Sequence, residues 1–65
     1  MRIDLNGAPI ETRARTLQDL IEEHGFADAA VATAVNGSFI PRTARETATL
    51  SEGARVEVLS PMQGG

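Results

Sequence analysis

Residues 2–25 read Arg2-Ile3-Asp4-Leu5-Asn6-Gly7-Ala8-Pro9-Ile10-Glu11-Thr12-Arg13-Ala14-Arg15-Thr16-Leu17-Gln18-Asp19-Leu20-Ile21-Glu22-Glu23-His24-Gly25, and two hydrophobic periods meet inside them. The first period is two. Ile3 and Leu5 share one strand face, and Ile10 and Thr12 share the corresponding face of a second strand. Asn6-Gly7 between them tolerates positive φ at both central positions of a type I′ turn, so residues 2–5 and 8–14 are expected to pair as a hairpin. Pro9 has no N–H to give a ladder, which suits an edge strand or a strand beginning. From Thr16 onward the period becomes helical. Leu17, Leu20, Ile21 and His24 stand at i, i+3, i+4 and i+7, while Gln18, Asp19, Glu22 and Glu23 take the other side. Thr16 is an N-cap and Asp19, three residues on, closes a capping box. Gly25 ends the helix, and Phe26 after it is placed to fold back on the last turn. A helix of about two turns cannot stand alone in water, so a sheet must lie beneath it.

Downstream the strand pattern returns. In Val31-Ala32-Thr33-Ala34-Val35 the odd positions share one face. A second Asn-Gly, Asn36-Gly37, turns the chain into Ser38-Phe39-Ile40, which Pro41 stops. Residues 42–49 are weakly patterned and are expected to be irregular or a short helical turn. Ser51-Glu52-Gly53 marks a turn, and Arg55-Val56-Glu57-Val58-Leu59 reads as a closing strand with Val56 and Val58 inward. Hairpin, helix, strand, short strand, strand is the order of an α+β, ubiquitin-like β-grasp domain: a mixed four- to five-stranded sheet, one helix packed across it, and a flexible C-terminal tail. The expected division is residues 1–59 as the domain and residues 60–65 as an extended tail ending Gly-Gly.

Composition removes several classes of function. At 65 residues, 42% apolar and 23% charged, the chain has a globular balance and room for one small domain. Its longest uncharged stretch, residues 29–41, holds Thr33, Asn36, Gly37 and Ser38, too polar and too short for a membrane helix. No apolar run follows Arg2, so a secretory signal is not expected. Without cysteine there is no disulfide framework, thiolate metal site or thiol nucleophile, and the cytoplasm is the expected compartment. The net charge of −3 lies entirely in residues 1–32, and every basic residue is arginine. An acidic chain with two Phe and neither Tyr nor Trp lacks the basic stripe and stacking platforms of a nucleic-acid binder.

The end of the chain needs another reason to exist. In Ser60-Pro61-Met62-Gln63-Gly64-Gly65, Pro61 cannot join a ladder, and two terminal glycines carry the highest ordering cost of any residue. Drawn out at 3.3–3.6 Å per residue, six residues reach about 20 Å, enough to carry the terminal carboxylate into another protein's active site. Gly64 and Gly65, lacking Cβ, suit a narrow channel that brings backbone close to a nucleotide phosphate. The carboxylate is an anion at neutral pH and a poor electrophile. Adenylation by ATP would activate it, with AMP leaving when sulfur or nitrogen attacks the Gly65 carbonyl carbon.

The hairpin, the capped helix, Val35-Asn36-Gly37, Pro41-Arg42, Leu50-Ser51-Glu52-Gly53, Arg55-Val56-Glu57-Val58 and the closing Ser60-Pro61-Met62-Gln63-Gly64-Gly65 together resemble the ThiS family, the sulfur carriers of thiamine biosynthesis. The resemblance spans the whole chain and is most specific at Asn-Gly followed by Pro-Arg and at the Gly-Gly end. Ala54 departs from it, since the family often has Asp after the glycine, and this weakens a turn preference. The resemblance implies a stoichiometric carrier and not an enzyme. A ThiF-type adenylating enzyme would use Mg-ATP to activate Gly65, with no cofactor bound by the carrier itself. Sulfur from a donor such as a cysteine desulfurase would make the thiocarboxylate, and thiazole synthase (ThiG) would take that sulfur. The small subunit of molybdopterin synthase shares layout and ending, although here residues 25–31 between helix and third strand are brief. A β-grasp interaction module with inert glycines is the alternative outside the carrier class.

Other residues take lesser roles. Met62, Gln63 and Gly64 are the expected threading segment. Strand parity turns Leu59 outward just before the tail, either as a docking contact or as an ordinary exposed leucine. Only one of Phe39 and Ile40 can face the core, so Phe39 or Ile40 is a second docking candidate, with Phe39 as an ordinary exposed residue the plainer reading. Arg42 and Arg55 either meet an acidic partner or are simply solvated. His24, the only histidine, suits the negative end of the helix dipole and has no second His or Cys to make a metal site. Glu22 and Glu23 are adjacent on a helix and do not converge as a carboxylate pair.

Overall fold

Asn6 and Asn36 both sit in the left-handed region, at φ 52° and 51°, each followed by a glycine at φ 85°. These two type I′ turns fold the chain into its two hairpins. The computed structural model describes residues 1–60. In the first hairpin β1 (Arg2–Leu5) lies antiparallel to β2 (Ala8–Glu11), with Ile3 opposite Ile10 and Asp4 opposite Pro9. In the second, β3 (Ala32–Val35) pairs with β4 (Ser38–Ile40), with Ala34 opposite Phe39. The closing strand β5 (Arg55–Leu59) enters between them, parallel to β1 and antiparallel to β3. The sheet has five strands in the order β2-β1-β5-β3-β4, which makes β5 central and puts Pro9 on an edge. This is the ubiquitin-like β-grasp fold.

Helix α1 (Leu17–His24) crosses one face of that sheet. Its capping box is complete: the Asp19 N–H donates to Thr16 Oγ1 at 3.1 Å, and the Thr16 N–H donates to Asp19 Oδ2 at 3.3 Å. Leu17, Leu20 and Ile21 are fully buried, at roughly 1.5–3 kcal/mol of transfer free energy each. That burial outweighs what any cap supplies and is the reason so short a helix persists. Ile3, Ala14, Leu50, Ala54, Val56 and Val58 complete the core. The expected fourth member of the helical face, His24, is exposed instead. Gly25 turns left-handed at φ 72°, and the Phe26 N–H bonds back to the Ile21 carbonyl at 3.0 Å. Phe26 therefore folds back and packs on the core, while His24 at the end of the helix stays exposed.

Two strands are shorter than their patterns. β2 ends at Glu11 and not at residue 14. At Thr12 the backbone still bonds Met1, the Thr12 N–H donating to its carbonyl at 2.9 Å, while the Thr12 hydroxyl accepts the Ala14 N–H at 3.0 Å and donates to the Glu23 carboxylate. β3 starts at Ala32, with Val31 half-buried before it. Residues 42–49 include a 3₁₀ turn, Arg42–Ala44, and lead to Leu50. The Leu50 N–H bonds to the Arg15 carbonyl at 2.8 Å, which ties the segment to the helix entry. At the following turn Gly53 takes φ 82° and the Ala54 N–H reaches the Ser51 carbonyl at 2.9 Å. Ala54 itself is buried in the core, so the turn forms around Gly53 with a small apolar residue after it.

Arg45 is buried with only 2% of its surface exposed. Its guanidinium donates to Thr33 Oγ1 at 3.2 Å and to the carbonyls of Asp28 and Val31 at 2.8 and 2.7 Å. No carboxylate faces it in this set. A fan of neutral oxygens, two of them from the first residue of the 3₁₀ turn Asp28–Ala30 and from Val31 just after it, takes the charge.

Candidate functional site

β5 carries the chain out of the sheet. It alternates buried Val56 and Val58 with exposed Arg55, Glu57 and Leu59, and Ser60 is the last described residue. Gly65, Gly64, Gln63 and Met62, expected to hold the reacting carbon and the threading segment, lie outside the described residues, as does most of the tail counted from residue 60.

Around the exit, the sheet face opposite α1 bears the largest exposed apolar side chains. Leu59 is 59% exposed and stands opposite Ala32; Phe39 is 69% exposed and stands opposite Ala34, which also faces Glu57. In an antiparallel ladder such partners lie side by side on one face. Leu59, Ala32, Ala34 and Phe39 therefore form one apolar strip on β5, β3 and β4 that ends where the tail begins. A shallow groove lined by Ala29, Ala30, Val31, Ala32, Leu59 and Ser60 adjoins it. Ile40 turns the other way and packs on the core.

The same face becomes charged toward β2. Asp4 and Arg55 are opposite one another in the parallel ladder, and the Arg2 guanidinium lies 3.6 Å from the Glu11 carboxylate. Arg55 thus belongs to the polar end of this face. Arg42 is elsewhere: it lines a cleft beside α1 with Gln18, Glu22, Asp28, Thr43 and Glu46. The structure brings Leu59 and Phe39 together and leaves Arg42 among acidic residues on the helix side.

Two further features were not legible beforehand. Glu23, read as a plain solvated carboxylate, accepts the Thr12 hydroxyl and the Arg13 N–H at 3.4 Å. The Thr12 hydrogen bond holds its carboxyl below the ordinary value of 4.5, against a small opposing effect of burial. The Asn6 side-chain amide bonds both the N–H and the carbonyl of Val58, one residue before the end of β5. A turn asparagine announces a positive φ, but nothing local in the sequence says which strand its side chain will meet.

The sequence model of the ThiS family matches residues 3–65, which includes the whole tail. The chain belongs to the ThiS family. Over its full length it also superimposes on the crystal structure of the thiamine biosynthesis protein ThiS from Geobacter metallireducens, with a TM-score of 0.85, 29% identity and 100% of both chains covered. The solution structure of a thiamine biosynthesis protein from the same organism matches with a TM-score of 0.80 and 29% identity, covering 100% of this chain and 88% of that one. No curated protein sequence matches. The exposed apolar strip lies beside Leu59 and Ser60, at the end of β5. Among the described residues no helix is long and apolar enough to cross a membrane.

Proposed function

We propose that this chain is a sulfur carrier of thiamine biosynthesis, whose reacting atom is the carbonyl carbon of Gly65. The observation that carries the reading is the ThiS-family match running through Gly64 and Gly65. In this scheme an adenylating enzyme binds the strip of Leu59 and Phe39 while residues 60–65 enter its nucleotide site. The Gly65 carboxylate attacks the α-phosphorus of Mg-ATP, pyrophosphate leaves, and an acyl-adenylate forms. Sulfur at the oxidation level of sulfide, released from the donor's persulfide by a thiol reductant that is itself oxidised to a disulfide, then attacks the acyl carbon and AMP departs, leaving a thiocarboxylate. That sulfur goes to thiazole formation, and the carboxylate is regenerated for another round.

The division of labour follows from size and chemistry. A small core has little stability to spare for a deep pocket of desolvated catalytic groups. The carrier therefore supplies an electrophile-to-be on a bare arm, while the partner supplies nucleotide, metal ion and catalytic groups. Glycine at both final positions removes every Cβ that would hinder close approach to a phosphate. A ThiF-type enzyme, a sulfur donor such as a cysteine desulfurase and thiazole synthase are the partners of this cycle, which places it in the cytoplasm.

Intact mass spectrometry tests the reading. After incubation with Mg-ATP, the adenylating enzyme of the same organism and a sulfur source, the chain is expected to gain the mass difference between one sulfur and one oxygen. An unchanged mass, with an enzyme verified on another carrier, refutes it.

A further inference from the structure

β1 and β5 pair through Asp4↔Arg55 and Leu5↔Val56. Past Leu5 the β1 chain turns away at Asn6-Gly7, so the backbone of Val58 meets no strand on that side. On its other side Thr33 and Ala32 stand opposite Val58 and Leu59. The Asn6 side chain takes the missing place. Its Oδ1 accepts the Val58 N–H at 2.9 Å, and its Nδ2 donates to the Val58 carbonyl at 3.1 Å. The Asn6 backbone N–H meanwhile donates to the Val56 carbonyl at 2.9 Å. A primary amide offers the same donor and acceptor as a peptide unit, so Asn6 extends the parallel ladder by one rung. Asn36 makes the comparable contact at the opposite end of the strand, where its Oδ1 accepts the Arg55 N–H at 2.9 Å.

We infer that Asn6 is a positioning residue for the C-terminal arm: its amide pins β5 at Val58, so that Leu59 and the arm beyond it are presented together to the ATP-dependent adenylating enzyme. The inference rests on the sulfur-carrier reading. A partner that grips Leu59 and receives the carboxylate in one step needs both to start from a fixed point on the sheet. With the amide gone, the end of β5 is held from the β3 side only, and conformers in which Leu59 separates from the sheet become populated. Apparent affinity falls by the fraction that is misplaced, while chemistry in the bound state is untouched. Asn6 thereby acts on KM and not on kcat.

Asn6→Gly keeps a residue at ease with positive φ and removes only the amide; Asn36→Gly does the same at the far end of β5. Hydrogen exchange at the Val58 amide and steady-state adenylation are measured on both full-length variants. Asn6→Gly is expected to speed Val58 exchange and to raise the KM for the carrier about five- to ten-fold, the scale of two lost hydrogen bonds, with kcat unchanged. Asn36→Gly is expected to lower stability comparably while leaving KM at the wild-type value. Asn6→Asp keeps the acceptor for the Val58 N–H but turns an oxygen toward the Val58 carbonyl, and is expected to give an intermediate KM. Fast Val58 exchange with a wild-type KM overturns the inference, as does an equal rise in KM for Asn36→Gly. If wild-type carrier draws no adenylation, the sulfur-carrier reading fails instead, and the Val58 exchange comparison alone decides whether the amide pins the strand.

Discussion

The Arg45 guanidinium bonds the Thr33 hydroxyl at 3.2 Å, and that hydroxyl donates onward to the Ile40 carbonyl at 2.8 Å. A buried cation is thus joined through a β3 threonine to the end of β4, while its other nitrogens hold the carbonyls of Asp28 and Val31. One side chain from an irregular segment ties together the loop after the helix and the second hairpin.

Removing it leaves those carbonyls buried without a donor, each at a cost of about 1–3 kcal/mol. Arg45→Ala is expected to lose roughly 2–4 kcal/mol, a large part of what a domain this small possesses. Arg45→Lys keeps the charge, but a single ammonium cannot span three acceptors, so an intermediate loss of about 1–2 kcal/mol is expected. Urea titration checks both: the midpoint should fall in the order wild type, Lys, Ala, with the slope unchanged.

Acid should find the Glu23 contact. The folded carboxyl titrates below its ordinary value, chiefly because the Thr12 hydroxyl bonds the ionised form. The unfolded chain therefore binds the proton first as pH falls. Stability from this contact is complete above the ordinary carboxylate value of 4.5 and is lost progressively as pH drops through the lower folded value. Glu23→Gln and Thr12→Val are each expected to flatten the acid limb of a plot of melting temperature against pH. Glu23 is more than a third exposed, so the effect is modest and shrinks in high salt.

Phe39 and Leu59 separate folding from docking. Both side chains point away from the core, so Phe39→Ser and Leu59→Ser should each stay within about 0.5 kcal/mol of the parent in stability. If the strip is the docking face, the double substitution weakens binding to the adenylating enzyme by about tenfold or more, the scale of buried apolar anchors. Calorimetric titration of the two proteins reads this directly. Arg42→Ala, in the cleft beside α1, should have a smaller effect than either.

What was legible in the sequence is what acts over a few residues. Asn6-Gly7 and Asn36-Gly37 announce their turns because only certain residues tolerate positive φ, and Thr16 with Asp19 announces the helix start because its orphan N–H groups need those acceptors. Strand parity told Leu59 from Val58, but it left Phe39 and Ile40 open, and only the packing of Ile40 on the core turns Phe39 outward. Contacts between distant segments were not legible. Arg45 sits in a stretch with no periodicity, and its burial depends on carbonyls supplied by residues 28 and 31. Nothing near Thr12 in the sequence says that its hydroxyl will meet Glu23, eleven residues on. Arg42 is a docking candidate by its charge alone, and only the placement of the 3₁₀ turn beside α1 puts it with Glu22 and Glu46. The reading of Gly64 and Gly65 rests on the ThiS-family match, which runs to residue 65.

Deleting Gly65 tests that last point most sharply. The β5 ladder ends at Leu59 and the core at Val58, so folding energy resides in residues that the deletion leaves in place. The melting temperature is expected to match the parent. The terminal carboxylate, however, now belongs to Gly64 and falls short by one residue, about 3.3–3.6 Å. Attack on a phosphorus atom requires approach to about 3–3.5 Å with aligned orbitals, so a shortfall of that size removes the reacting geometry altogether. The truncated chain should therefore still bind the adenylating enzyme through Leu59 and Phe39 and act as an inhibitor of the full-length carrier. Competition in an adenylation assay measures this, and sulfur loading of the truncated chain at the parent rate would show that the carbon of Gly65 is not the one that reacts.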